Sequence, residues 1–276
     1  MTNNNMPRCN LCGAESNVII ALNESFPVLQ CKVCLLVYVY PQPDNSEIKR
    51  EYDDDLIFSS KESKNWLKHC EKDLARLWLR RISKITKFKN TGKILDVGCG
   101  TGDFVKHLAP SVWKVYGTEY SPQMARVAQD RCRIDVFIGF LKQAQYENES
   151  FDAVTMWHVL EHVPDPSSEI REIFRILRKG GLIVIEVPNL NFILKKSYKM
   201  PLSRNMHLTH FTASTLSKML ADNGFKVRLI ESTHTGFFRE QSLKAFIKII
   251  IHYTSKITVR LFGLHIDQAI LIIAEK

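Results

Sequence analysis

ILDVGCGTGDF, residues 94–104, runs from an apolar strand through Asp96 into a loop with three glycines in five positions. Apolar strand patterns alternate with helical ones on its C-terminal side: KILDVG, FVKHLA, KVYGTEY, SPQMARVAQDR, FDAVTM, SSEIREIFRILRKGG and LIVIEVP follow in order. Strands separated by helices of this length imply right-handed crossovers and a parallel sheet covered on both faces. Ligands of such sheets sit at the carboxyl ends of the strands, so the loop at 98–102 is where a ligand is expected.

The spacing of that loop narrows the ligand. Gly98, Gly100 and Gly102 read G-x-G-x-G, with Asp103 where a dinucleotide fingerprint would carry its third glycine, and the Gly-Lys-Ser/Thr ending of a phosphate loop is missing. Asp96 beside the loop would repel a pyrophosphate and favour an ammonium or sulfonium cation. Glu119 closes the next strand, in the position that grips ribose hydroxyls. Glycines let the backbone approach a ligand closely, and N–H groups at the start of the following helix can receive a carboxylate. A carboxylate, a cation and a ribose together describe S-adenosylmethionine.

At this point the chain resembles the class I S-adenosylmethionine-dependent methyltransferases, in their small-molecule branch. The resemblance covers Lys93 to Phe225 and rests on LDVGCGTG, VYGTEYSPQM, FDAVTMWHVLEHVPDP, IREIFRILRKGGLIVIEVPN and HLTHFTASTLSKMLADNGF in that order. It implies an α/β fold, a Rossmann-like, mostly parallel seven-stranded sheet with helices on both faces. It also implies that Asp96, Gly98, Cys99, Gly100, Thr101 and Gly102 surround the methionine part, and that Glu119 is the ribose acid with Tyr120 beside it. Met156 and Trp157, after the fourth strand, would lie near the methyl group. Many relatives place an aspartate after Gly139 to bind adenine; this chain has Phe140, followed by Leu141, so those two are expected to pack the base, with a backbone contact or Gln143 giving the polar reading.

Methyl transfer from a sulfonium is an in-line displacement, and a hydroxyl nucleophile benefits from a base that titrates near neutrality, most often histidine. His158, His207 and His210 are the candidates, while Glu161 and His162 read as structural or cofactor-side supports. Residues 189–212 are expected to form a lid over the acceptor.

Four of the seven cysteines cluster near the N-terminus. Cys9 and Cys12 enclose one dipeptide, Cys31 and Cys34 enclose another, and the segment from Gly13 to Gln30 separates the pairs. Two such knuckles supply the tetrahedral sulfur set of a structural Zn²⁺, with no position left open for water. The pattern resembles a zinc ribbon, a family whose members bind nucleic acid, partner proteins or their own neighbouring domain. The expected organisation is therefore a four-cysteine module at 1–45, a linker with an amphipathic helix packing on the catalytic domain at 46–90, and the methyltransferase domain at 91–276. The helix rests on Leu67, Cys70, Leu74, Leu77, Trp78, Ile82 and Ile85, which recur at three- and four-residue steps.

The composition is 45% hydrophobic and 24% charged, which excludes disorder as the main theme. No basic region followed by an apolar run opens the chain and no uninterrupted apolar stretch spans a bilayer, so the expectation is a cytoplasmic protein. Between the last two strands an insertion at about 232–265 carries Lys244, Lys248, His252, Lys256 and Arg260 at four-residue steps. That basic stripe over 242–262 either packs on the domain with its charges in water or lies on the inner face of an anionic membrane. The formal charge of +9 keeps nucleic acid in view as well. The expected function is O-methylation of a small or carrier-linked metabolite, such as a sugar, nucleotide-sugar or isoprenoid-linked intermediate, with S-adenosylhomocysteine as the second product. The alternative is an RNA methyltransferase that grips its substrate with the four-cysteine module. Against RNA, MWHV stands after the fourth strand where base-amine methylases carry an Asn or Asp before Pro-Pro and an aromatic, and neither Cys70 nor Cys132 falls in an expected active-site loop.

Overall fold

The glycine loop springs from the centre of a seven-stranded sheet in the computed structural model of the chain, which describes residues 7–23, 26–44, 47, 74–108, 112–193, 207–233 and 268–276. Three short strands come first, β1 (Asn17–Asn23), β2 (Phe26–Cys31) and β3 (Val37–Val39). A helix over 74–85, α1, leads into β4 (Gly92–Val97), β5 (Trp113–Glu119), α2 (Pro122–Cys132) and β6 (Asp135–Ile138). Then follow β7 (Phe151–Trp157), α3 (Pro166–Ile176), β8 (Leu177–Pro188), α4 (Leu190–Ile193), β9 (Thr209–His210), α5 (Ala213–Asp222), β10 (Lys226–Thr233) and β11 (Ala269–Glu275). The large sheet has the order β10-β11-β8-β7-β4-β5-β6, and only β11 runs against its neighbours. This is the Rossmann-like, mostly parallel architecture expected from the alternation of strands and helices.

Helices start where the sequence places a proline behind a capping side chain, or a hydroxyl pair. Ser121 accepts the Met124 N–H ahead of Pro122, Asp165 accepts the Ser168 N–H at 2.9 Å ahead of Pro166, and the Thr212 hydroxyl accepts the Thr215 N–H. The central strands are apolar on both faces because both are covered. On one face Leu95, Val97, Met156, Ile183 and Ile185 pack against Ile170 and Ile173 of α3 and Leu216 and Met219 of α5. On the other, Ile94, Ala153, Val184 and Ile273 meet Ala125 and Ala128 of α2 and Ile85 of α1.

Two expectations change. The segment after the glycine loop forms turns and a single 3-10 turn, Val105–His107, in place of a helix, so no long array of aligned N–H dipoles stands behind the loop. The helix expected through RKGG stops at Ile176, and Leu177 already pairs with Phe151 in the sheet. The four-cysteine module joins the rest of the chain: β1, β2 and β3 form a sheet whose fourth strand is β9, from the segment just before α5. Leu29, Cys31, Leu36 and Tyr38 share one core with Ile170, Leu216 and Met219. Asn10 Nδ2 donates to the Pro164 carbonyl at 3.0 Å and the Ser167 hydroxyl donates to the Asn10 carbonyl at 2.6 Å.

The helix expected to pack on the domain does so through Trp78, Ile82 and Ile85. Leu74 and Leu77 also fall on its described part, whereas Leu67 and Cys70 lie outside the described residues. So do residues 194–206 of the expected lid and the basic stripe at 242–262. Among the described residues no helix is long and apolar enough to cross a membrane.

The apolar periodicity passes over the residue that pins α1 to the sheet. Arg81 is 4% exposed and makes a two-pronged ion pair with Glu186 of β8, which is wholly buried. Its guanidinium lies between the rings of Trp78 and Trp157, 4.3 Å and 4.8 Å from their centroids. Arg81→Met keeps the stem and strands the Glu186 carboxylate, so it is expected to lower stability by about 3 kcal/mol. Denaturant unfolding of the full chain measures that loss.

Candidate active site

The glycine loop closes the carboxyl end of β4. Gly98 adopts φ +67, and a Cβ there would stand 2.5 Å from Val159 Cγ2, so both conformation and space demand glycine. Gly100 adopts φ +55 with nothing within 4 Å of its Cβ position, which leaves open space for a ligand to approach the backbone. The loop is tied to β5 by Glu119, whose two oxygens accept the N–H groups of Gly100 and Ser121, each at 2.8 Å. The expected ribose acid therefore also shapes the loop. Thr101 hydrogen-bonds Asp103 at 3.0 Å, and Cys99 is buried with its thiol raised by burial and by the charges of Asp96 and Glu119, which suits a small packing residue.

Asp96 is 1% exposed and accepts the Thr155 hydroxyl at 2.6 Å. Burial first, then the neighbouring Glu119 charge, raise its carboxyl to about 7, against the lowering hydrogen bond from Thr155. At the other side of the loop the rings of Tyr120 and Phe140 stack at 4.4 Å with an interplanar angle of 28°. Leu141 is buried next to Phe140, and the Gln143 side chain accepts the Phe140 N–H at 2.9 Å. Phe140 and Leu141, the residues expected to pack the base, thus stand beside Tyr120 at this edge of the loop. Met156 is fully buried, and Trp157 sits against Phe104 and Trp78 at 5.0 Å and 5.7 Å between centroids.

The histidines gather around a carboxylate. Glu161 follows β7 in a 3-10 turn, Leu160–His162, and is 1% exposed. His158 Nδ1 stands 3.4 Å from Glu161 Oε1 and His158 Nε2 stands 3.2 Å from Glu186 Oε1. Burial opposes charge on His158, but the adjacent carboxylates of Glu161 and Glu186 prevail and raise it to about 9. Both of its ring nitrogens are turned to carboxylates, an arrangement that favours the protonated ring. Glu186 would be raised by burial, yet Arg81 and His158 hold it at about 2. His207 and His210 are the opposite case: burial lowers them to about 4 and about 3, so both are neutral. The rings of His162 and His207 meet edge-on at 5.0 Å, and those of His207 and His210 at 6.0 Å. His210 Nε2 is buried without a hydrogen-bond partner. The structure thus brings His158, His207 and His210 together around Glu161.

Sequence reasoning finds Glu161 as a support but misses Glu186, Arg81 and the gathering of histidines around Glu161. A lone carboxylate inside the apolar run LIVIEVP is the available signal for Glu186, since a charge buried in a strand must be paired.

The four-cysteine set stands apart from this site but supports it. Cys9 and Cys34 sulfurs are 3.4 Å apart, those of Cys12 and Cys31 3.5 Å, and all four lie within 4.8 Å of one another. The N–H groups of Leu11 and Val33 point at the sulfurs of Cys9 and Cys31, both at 3.4 Å. Thiolates at the corners of a Zn²⁺ tetrahedron are ~3.8 Å apart for ~2.3 Å bonds, so these residues fit the ion. The adjoining β3 pairs Val37 with His210, and the Val39 N–H donates to the Leu208 carbonyl at 2.9 Å. The module thereby holds the strand that carries His210 and follows His207.

The profile of the "Methyltransferase domain" family matches residues 68–230, more than half of the chain. The chain belongs to this methyltransferase family. Over 147 residues it is 30% identical to the ubiquinone/menaquinone biosynthesis C-methyltransferase UbiE of Geotalea daltonii, covering 49% of this chain and 58% of that protein. The chain spans about half the length of the curated relatives it matches. Among solved structures it is similar to phosphoethanolamine N-methyltransferase 2 of Haemonchus contortus in complex with S-adenosylmethionine, with a TM-score of 0.54 and 20% identity over 72% of this chain and 52% of that one. A second, an S-adenosylmethionine-dependent methyltransferase of Thermotoga maritima, gives a TM-score of 0.55 and 21% identity over 79% and 96%. These likenesses concern the fold; the chemistry of this methyltransferase-family site rests on its own residues.

Two predictions arise. A carboxyl near 7 pairs with the cofactor's ammonium only when ionised, so affinity for S-adenosylhomocysteine is expected to fall by up to about tenfold per pH unit below 7 and to level off above it. Calorimetric titration across pH should show that slope in the wild type and a flat profile in Asp96→Asn. Stripping the four-cysteine metal with a chelator, or Cys31→Ser, is expected to speed amide exchange at Val39 and in the 207–211 segment while leaving β4 protected, as read by hydrogen-exchange mass spectrometry.

Proposed function

We propose that this chain methylates a small phenolic or enolic molecule, with S-adenosylmethionine as the donor and a carbon next to the acceptor's oxygen as the nucleophile. The observation that carries the reading is the nest of histidines around buried Glu161, which follows the carboxyl end of β7. When bound, the cofactor supplies an electrophilic methyl carbon on a sulfonium and leaves as S-adenosylhomocysteine. Asp96 holds the ammonium, Gly98 to Gly102 admit the methionine part, Glu119 takes the ribose, and Tyr120 with Phe140 stacks the base. Met156 and Trp157 exclude water from the methyl end.

Removing a proton from the acceptor's hydroxyl raises electron density on the adjacent carbon. His210, whose Nε2 is buried with no hydrogen-bond partner among the described residues, takes that proton. The carbon's electron pair then forms the bond to the methyl carbon as the carbon–sulfur bond breaks and its pair stays on sulfur. Loss of the proton from the methylated carbon restores the aromatic or enolic acceptor and the proton balance. The same deprotonation would serve an oxygen nucleophile, as expected from the sequence; carbon is favoured because UbiE of Geotalea daltonii is named a C-methyltransferase.

An RNA acceptor loses its main argument. The four-cysteine module is engaged with its own neighbouring domain through β9 and a shared core, which accounts for it without nucleic acid.

Incubation of the purified chain with methyl-labelled cofactor and either phenolic quinone precursors or total RNA separates the readings. Label in the small-molecule fraction is expected, and the carbon-13 shift of the transferred methyl tells carbon from oxygen. Label confined to RNA would overturn the proposal. His210→Ala is expected to lower kcat about 100-fold or more while cofactor affinity stays within a few-fold of wild type.

A further inference from the structure

We infer that Glu161, His162 and His207 form a second metal site, for a divalent transition ion, distinct from the four-cysteine set. One carboxylate oxygen of Glu161 and one ring nitrogen of each histidine lie within 4.8 Å of one another. Glu161 is 1% exposed, and among the described residues neither of its oxygens receives a hydrogen bond. His158 Nδ1 stands 3.4 Å from Oε1 as an ion-pair partner, and His162 Nε2 is 4.0 Å away. His158 offsets part of this buried charge, and a metal ion held between Glu161, His162 and His207 would give the carboxylate the directed partner it lacks.

The ligand-bearing segments are braced for the task. Glu161 and His162 are adjacent in one 3-10 turn, and the Leu208 N–H donates to the Glu161 carbonyl at 2.8 Å, which fixes His207 against that turn. Thr209 and His210, which follow, are locked into β9 beside β3. Two imidazoles and a carboxylate suit borderline ions such as Zn²⁺, Mn²⁺, Fe²⁺ or Co²⁺. Three protein ligands also leave positions open for an oxygen of the acceptor or for water, unlike the closed four-cysteine set. This role deepens the proposed function and rests on it: an ion here would hold the acceptor's oxygen and favour loss of its proton. The existence of the site does not depend on that reading.

The test counts metal on the full chain. Apo-protein is saturated with Co²⁺ and desalted, bound cobalt is measured by mass spectrometry, and thiolate-to-cobalt absorption is recorded. Glu161→Gln, His162→Ala and His207→Ala are each expected to hold one equivalent fewer than wild type with thiolate absorption unchanged. Cys31→Ser should lose that absorption and keep the second equivalent. Two outcomes would overturn the site: equal stoichiometry in wild type and all three variants, or loss of the equivalent only together with the thiolate band. Methylation that persists with the four-cysteine ion alone would overturn the second metal's part in the reaction and leave the methyl-transfer reading standing.

Discussion

Two carboxylates buried at the carboxyl end of the sheet organise this molecule. Glu161 and Glu186 cannot remain charged in an apolar interior without partners, and the chain supplies them from distant segments. Arg81 comes from the helix before the sheet and His158 from the end of β7, so that Arg81, Glu186, His158 and Glu161 form one continuous chain of alternating charge. Each member is held by the next. His158 accepts a left-handed backbone, φ 56, and donates its own N–H to the Glu186 carbonyl at 2.8 Å to stay in line. The network carries the position of α1 to the histidines, and Arg81 also rests on the ring of Trp157 at the end of β7.

The four-cysteine module enters the same arrangement from the other side. Three short strands bury too little apolar surface to stand alone, which is why they share a core with the larger sheet. In return β3 gives β9 its only sheet partner among the described residues. So short a strand would not hold by itself, yet His210 lies on it and His207 just before it. The module is thus a clamp on the histidine segment, which explains its presence on a methyltransferase fold.

Much of this is legible in the residues and some is not, for physical reasons. The glycine loop, Asp96 and Glu119 are readable because a tight turn, a cation and a ribose each demand one residue type at one spacing. The four-cysteine set is readable because thiolates so spaced have few other uses. The stretch after the loop reads as a helix because Phe104, Val105 and Leu108 mimic helical periodicity, while the closely following Pro110 leaves room for only one 3-10 turn. The pairing of Val37 with His210 is invisible, since contacts between segments at opposite ends of the sequence leave no local pattern. Arg81 escapes notice because a charge beside an apolar stripe is assumed to point to water, and the gathering of histidines around Glu161 because His207 is separated from it by the whole of β8 and α4.

The cofactor site is electrostatically unbalanced by its own residues, and that imbalance is a source of selectivity. Asp96 is buried near Glu119, and burial with the repulsion between these two carboxylates holds Asp96 partly protonated at neutral pH. A pyrophosphate would add negative charge to this pair and find no long helix dipole to offset it, because only a 3-10 turn follows the loop. A ligand with an ammonium group would relieve the repulsion and favour the ionised form of Asp96, while Glu119 keeps its backbone partners at Gly100 and Ser121. The aspartate that precedes the glycine pattern therefore does more than the glycines to choose the ligand: they open the space, and it decides the charge that fills it.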